Sequence, residues 1–440
     1  MAKKILFSPV GGTDPISMDN MYDGSLLHIC RYFKPDVVYL YMSKEVLFNH
    51  YKDNRYIFCL DKLAKMQNRE MEYIFIERRN LEDVQRFDYI YNDMLEIIKD
   101  ISSKMDSDDE LYLNVSSGTP AMKSALLVIN VLGEYPFKSI QVTTPLKKMN
   151  EHTHDGYDVG TLWEINEDNN ININRCEEID CPALIKQKKI EIIKKQVFEY
   201  DYDAALNVAI SIYDNDSIQL KMLKFAKYRL ILDFKKVDAV DRELNMSLLP
   251  IRSGNERKYF EYMLSIMIKQ KKGQLADFLR SITPLISDLF NLILVNECKV
   301  KIDELTYIDK KTKGIKWDKD KLEKNRPDIE KFLSAEFSDF KYSFVLSVHL
   351  KTIIISLAPT NTMLIEIVEK IRKVEESIRN LAAHQIVSID EDFIRSKTGF
   401  NSAEIVKMLK DAFKYTRINI KNEYWNSYEE MNEIIVKEIE

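Results

Sequence analysis

The feature that most restricts the fold is a change of hydrophobic period partway along the chain. Up to about Pro145, short apolar runs alternate with longer segments of helical spacing; beyond Pro182 the short runs almost vanish. The runs are Lys4–Val10, Asp36–Ser43, Glu72–Glu77, Glu110–Ser117 and Lys138–Thr144. Most are nearly continuous in apolar residues, the pattern of strands covered on both faces. Between them, Asp83–Lys104 places Val84, Phe87, Ile90, Tyr91, Met94, Ile97, Ile98 and Ile101 on one stripe, and Ala121–Leu132 is a second helix. Strand, helix, strand repeated in this way requires right-handed crossovers and a mostly parallel sheet. The expected fold is therefore an N-terminal Rossmann-like α/β domain followed by an all-α region.

After Pro145 the pattern loosens. TLWEINE, DNN and ININR predict a hairpin turning at Asp168, Asn169 and Asn170. From about Ala183 to Glu440 the chain reads as charged amphipathic helix with few breakers; Ile308–Asp318, basic and polar, is the exception and reads as a loop or small hairpin. The composition shift near Cys176–Pro182 sets the expected domains at 1–178 and 179–440.

A chain of 440 residues with 45% hydrophobic content can bury ordinary cores in two or three domains. Its net charge of −6 argues against a general nucleic-acid scaffold, because phosphate affinity rests on Lys and Arg. A nuclease that takes a few nucleotides into a local basic cleft stays open. The five cysteines lack metal-ligand spacing and read as reduced thiols, which implies a cytoplasmic home. The opening MAKKILFSPVGG is too short an apolar run for a signal peptide, and no stretch reads as the ~20 apolar residues of a membrane span. His152 and His154 are an isolated loop pair, so no metal site is expected.

Residues 363–384 form an amphipathic helix with Leu364, Ile367, Val368, Ile371, Val374, Ile378 and Leu381 on one face. It ends in Arg379-Asn380-Leu381-Ala382-Ala383-His384, an R-x-x-x-x-H arrangement. Metal-free RNA cleavage needs a group that moves protons near neutrality, which suits histidine. It also needs a fixed cation with a planar fork for phosphate oxygens, which suits arginine. Five residues along a helix leave about 140° between Arg379 and His384, so two copies of the helix would surround a phosphate better than one. Spacing alone leaves open a structural alternative, in which both residues merely favour the negative end of a helix dipole.

Two loops follow strand ends: Ser8 to Pro15, with Gly11, Gly12 and Thr13, and Asn114 to Pro120, with Ser116, Ser117, Gly118 and Thr119. The second runs into a helix that carries Lys123. In open α/β sheets ligands bind beyond the carboxyl ends of the strands. Glycines admit close approach, hydroxyls donate, and a helix N-terminus favours anions. Neither loop matches a Walker A motif or G-x-G-x-x-G, and ordinary tight turns remain the alternative.

Together, GGTDP after the first strand, NVSSGTPAMKSAL after the fourth and the C-terminal RNLAAH helix resemble the CRISPR-associated ancillary ribonucleases of type III-A systems. Those proteins join a CARF domain (CRISPR-associated Rossmann fold) to a HEPN ribonuclease domain, and the resemblance runs over essentially the whole chain. It implies that Arg379 and His384 are the catalytic pair and Asn380 the polar residue beside them. It implies that Gly11, Gly12, Thr13, Ser116, Ser117, Gly118 and Thr119 line a pocket for a cyclic oligoadenylate made by the interference complex, hexa-adenylate favoured over tetra-adenylate. A homodimer, a single-stranded RNA substrate, metal-independent cleavage leaving 2′,3′-cyclic phosphate and 5′-hydroxyl ends, and degradation of the activator with Thr119 taking part are further implications. No cofactor, membrane or DNA partner is expected. The rivals are a ligand-responsive regulator or adaptor without nuclease activity, and a HEPN toxin. No basic recognition helix supports DNA binding, and a toxin has no need of the α/β front half.

Overall fold

The computed structural model describes residues 2–133, 137–145, 156–246, 248–338, 340–382 and 388–440, with the side chains of 379–382 outside that description. The chain divides into two compact units, Met1–Lys188 and Lys189–Glu440.

In the first unit six strands form one sheet: β1 (Lys4–Pro9), β2 (Val37–Ser43), β3 (Glu72–Arg78), β4 (Glu110–Asn114), β5 (Phe137–Val142) and β6 (Cys176–Ile179). Their order is β3-β2-β1-β4-β5-β6, and all neighbours are parallel except β5 with β6. The helices are α1 (Ser25–Phe33), α2 (Lys44–Asp53), α3 (Arg55–Met66), α4 (Phe87–Ser103), α5 (Pro120–Leu132), α6 (Val159–Glu164) and the start of α7 (Pro182–Phe198). Because strand side chains alternate, the sheet buries two faces. Leu6, Val38, Leu40, Tyr112 and Ile140 pack with Leu26, Leu27 and Ile29 of α1 and Leu60 and Leu63 of α3. Ile5, Phe7, Tyr41, Leu111 and Leu113 pack with Ile90, Met94 and Ile98 of α4 and Ala125, Leu126 and Ile129 of α5. That is why the strands read as continuous apolar runs. The order reverses between β1 and β4, so the loops after these two strands flank the switch point, the usual crevice of such sheets.

The hairpin expected around Asp168 does not form. Residues 159–164 are the helix α6 and Glu167–Asn169 a 3₁₀ turn, and the strand appears later, as the antiparallel edge β6. Capping decides it: Asp158 accepts from the amides of Gly160 and Thr161, Asn166 caps the 3₁₀ turn, and the short helix buries Leu162 and Trp163 together.

The second unit holds the rest of α7 and α8 (Tyr202–Ala209), α9 (Ile218–Leu230), α10 (Phe234–Leu244), α11 (Gly254–Lys271), α12 (Leu275–Glu297), α13 (Lys319–Asn325), α14 (Pro327–Glu336), α15 (Ser347–Leu357), α16 (Thr362–Ala382), α17 (Glu391–Thr398), α18 (Ser402–Phe413) and α19 (Ser427–Ile439). A small hairpin, β7 (Thr306–Ile308) with β8 (Ile315–Trp317), occupies the basic segment. One core runs through the unit, with α12 at its centre against α11, α15, α16 and α18. Contrary to the expectation that no stretch has the length and composition of a membrane span, α12 does, with 23 residues. Leu279, Ile282, Leu285, Ile286, Leu289 and Ile293 explain it, since they bury one face of α12 in this core.

Candidate functional site

Six of the seven expected ligand residues meet. Gly11, Gly12, Thr13, Ser116, Ser117 and Gly118 line a single cleft of about 190 Å³ at the switch point, although the two loops are a hundred residues apart. The loops touch through backbone: a Cβ on Gly11 would lie 2.8 Å from the Gly118 nitrogen. Gly118 has φ +86°, and a Cβ there would stand 2.9 Å from Pro9 Cβ and from Met122 Sδ. Thr119 falls on the other side of this contact, in an adjoining cleft of about 370 Å³ that shares Gly11, Gly12 and Gly118. Its hydroxyl accepts from the Met122 amide as the cap of α5 and donates to the Val84 carbonyl at 2.8 Å.

Asp14 ties the cleft together. Its buried carboxylate accepts from the Ser117 hydroxyl, from the Gly11 amide at 3.1 Å and from the Leu26 amide at 3.0 Å. It thereby joins the loop after β1, the loop after β4 and the first turn of α1, whose own N-cap, Gly24, supplies no side-chain bond. Burial raises the Asp14 carboxyl above its ordinary value, against the lowering by Ser117, the two amides and Lys123. Asn114 fixes the second loop from beneath. It donates to Ser8 Oγ at 2.9 Å and to Ser25 Oγ at 3.2 Å, and accepts from the Ser116 amide at 3.0 Å. Ser116 Oγ accepts from the Val142 amide at 2.7 Å. Of the three loop hydroxyls in the cleft, those of Ser116 and Ser117 thus already hold the loops in place.

Two cations complete the wall. Lys123 was in view from the sequence; Arg175 was not, because it lies in the segment that reads as a hairpin strand. Arg175 donates from Nη1 to the Thr143 carbonyl at 3.0 Å and from Nη2 to Asp168 at 2.7 Å and the Asp23 carbonyl at 3.2 Å; among the described residues its buried Nε has no partner. Nearby, Arg31 grips the Asp23 carboxylate at 2.7 and 3.0 Å. Asp23, His28 and Asp168 have ligand atoms within 4.8 Å of one another, a spacing a metal could use. Each carboxylate is instead paired with a guanidinium. Burial pushes the Asp168 carboxyl up, but His28, the Asp23 amide and Arg175 outweigh it and hold it below the usual range. The result is a polar, cation-walled cleft of backbone amides and hydroxyls, suited to a phosphate-bearing ligand.

The nuclease motif is only partly within the described residues. Arg379 and Asn380 lie on α16, whose Leu364, Val368, Ile371, Val374 and Ile378 are buried as the periodicity predicts. Their side chains, and His384 altogether, fall outside the description. One turn before Arg379, Glu375 is fully buried, with Arg372 Nη1 at 3.6 Å.

A doubly wound sheet with such a cleft, continued by a mainly helical unit whose α16 carries Arg379 and Asn380, is the architecture of a CARF–HEPN endoribonuclease. The chain matches the Csm6 CARF domain over residues 72–176, the Csm6 6H domain over 179–230 and the Csm6 HEPN domain over 248–436. It is 29% identical to the CRISPR system endoribonuclease Csm6 of Mycobacterium tuberculosis, over 94% of this chain and 97% of that protein. To Csm6′ of Streptococcus thermophilus it is 26% identical, over 99% and 100%. The solved structure of Enterococcus italicus Csm6 bound to cyclic hexa-2′-fluoro-hexa-dAMP shares its fold, with a TM-score of 0.67 at 20% identity over 99% of this chain and all of that one. This chain belongs to the Csm6 family of CRISPR-system endoribonucleases.

Proposed function

We propose that this endoribonuclease is switched on by a cyclic oligoadenylate bound at the carboxyl edge of its sheet, in the service of type III CRISPR antiviral defence. The observation that carries the reading is the convergence of the Gly11–Thr13 and Ser116–Gly118 loops with Lys123 and Arg175 on one cleft. A ring with repeated phosphates suits such a cleft presented twice about a two-fold axis, so the working unit is a cytoplasmic homodimer. Hexa-adenylate is the favoured activator, in keeping with the ligand of the Enterococcus structure.

The cut falls in single-stranded RNA and uses no metal. The 2′-hydroxyl attacks the adjacent phosphorus, the new 2′-O–P bond forms as P–O5′ breaks, and the leaving oxygen takes a proton, giving 2′,3′-cyclic phosphate and 5′-hydroxyl ends. His384 moves the proton, Arg379 holds the charge that builds on phosphate, and Asn380 orients the group beside them. Coupling requires the activator to bind the cutting state better than the resting one. The CARF domain that binds the ring also degrades it, with Thr119 taking part. Because that hydroxyl is engaged by Val84, the step requires the turn to release it. A fluorogenic RNA assay with cyclic tri-, tetra- and hexa-adenylate supplied separately tests the reading. Activation by one ring in the presence of EDTA is expected; equal cleavage with none of them rejects the sensor role.

A further inference from the structure

A lysine-rich stretch of this acidic chain lies in neither the cleft nor the nuclease motif. Between Thr306 and Lys324 stand seven lysines and four carboxylates, in a protein of net charge −6. The structure sorts these charges. Asp309 closes the turn of the β7–β8 hairpin, accepting from the Thr312 hydroxyl at 2.6 Å and its amide at 2.8 Å, with Lys316 at 3.2 Å. Those bonds hold its carboxyl down at about 2, so it stays a spent anion inside the turn. Asp318 pairs with Lys321 and Glu323 with Lys319. What remains at the tip is Lys310, Lys311 and Lys313, all exposed, and among the described residues none has a carboxylate within ion-pair distance.

Beside these lysines the hairpin presents apolar and aromatic surface. Tyr307 is 45% exposed and Ile308 68%, and the exposed Phe344 ring lies against the strand pair, where Gly314 leaves room for it. Lys316 Nζ sits 5.0 Å over that ring. The root is rigid: Trp317 is buried and donates from Nε1 to His349 Nδ1 at 3.1 Å on α15. From Phe344 the chain enters α15 directly. Helices α15 and α16 are joined by only four residues and pack together, so the hairpin is rooted on the helix that precedes the one carrying Arg379.

We propose that the β7–β8 hairpin is a docking surface for the single-stranded RNA substrate, with Lys310, Lys311 and Lys313 on the phosphates and Tyr307 and Phe344 as platforms for bases. Unpaired lysines beside exposed rings suit a flexible polyanion with π-faces. They do not suit a protein partner, since lysine is depleted from protein–protein interfaces. The inference is independent of the activator reading, because it concerns substrate capture only.

The test uses the full-length protein and a fluorescent single-stranded RNA carrying 2′-O-methyl groups, which block attack by the 2′-oxygen. Anisotropy is read over a range of salt concentrations for wild type and for Lys310→Gln/Lys311→Gln/Lys313→Gln, with thermal unfolding to check that these exposed changes leave the fold intact. The triple variant should bind about tenfold more weakly at low salt, and its slope of log affinity against log salt should be shallower by about 2. With cleavable RNA, KM should rise while kcat stays. Unchanged affinity and salt slope overturn the proposal and leave the surface to a protein partner; a loss of kcat at constant KM overturns it as well.

Discussion

Replacing Gly118 by alanine tests whether the contact between the two loops shapes the cleft. Two costs add. Gly118 sits at φ +86°, where a side chain is strained by about 1–2 kcal/mol. The new Cβ would also stand 2.9 Å from Pro9 Cβ and from Met122 Sδ. The methionine can swing aside, but the proline is held in β1, so a further 1–2 kcal/mol or so of overpacking remains. A total of about 2–4 kcal/mol should lower the unfolding temperature of the sheet unit by roughly 5–12 °C. Gly156→Ala is the control: its φ is +80°, yet among the described residues nothing lies within 4 Å of a Cβ there, so it carries the strain without the clash. Calorimetry of both variants isolates the clash, and titration with cyclic hexa-adenylate reads its effect on the cleft. Gly118→Ala should need more activator for half-maximal cleavage than Gly156→Ala, with basal cleavage unchanged in both. Should the two variants melt and respond alike, the loop contact does not shape the site and the reasoning fails.

His384→Ala and Arg379→Ala should each remove nearly all RNA cleavage without affecting ring binding, and EDTA should spare the wild type; mixing wild type with the double variant should lower activity more steeply than in proportion if the site is shared between protomers. His349 should make stability depend on acid: its Nδ1 accepts from both Trp317 Nε1 and the Leu346 amide, and burial lowers its pKa to about 4. A lowered pKa means that the stabilisation is complete above the unfolded value of about 6.5 and lost as pH falls towards 4, about 2 kcal/mol after allowance for solvent screening. Urea unfolding at pH 7 and pH 4 should show this loss, and His349→Asn, which still offers Trp317 an acceptor, should abolish most of it. Arg229 and Glu261 form a fully buried bidentate pair at 2.8 and 3.0 Å. Arg229→Met should cost about 3–5 kcal/mol in urea unfolding, whereas Arg229→Met with Glu261→Met should recover much of that loss, because the single change strands a buried charge; equal losses for the two would refute it.

Hydrophobic period is a local property, and on this chain it was enough to place the five parallel strands, α4, α5 and α16 to within a few residues. Local chemistry also marked the start of α5, where Thr119 caps and Pro120 takes the first turn. It misread residues 161–175, where alternating residues suggest a hairpin but two side-chain caps and the burial of Leu162 with Trp163 favour helix and turn. The glycine and hydroxyl residues of the two loops were legible as candidates. Their meeting was not, because it depends on strand order: only when β4 pairs with β1 does Gly118 come against Gly11. Arg175 has no local signature at all; it enters the cleft because β6 turns back antiparallel along β5 and sets it beside Thr143, Asp168 and Asp23. Sequence by itself determined which segments are strands and helices and which residue types could hold a phosphate. Tertiary structure decided which of them share a cleft, since that requires pairings between residues a hundred positions apart that no local period encodes.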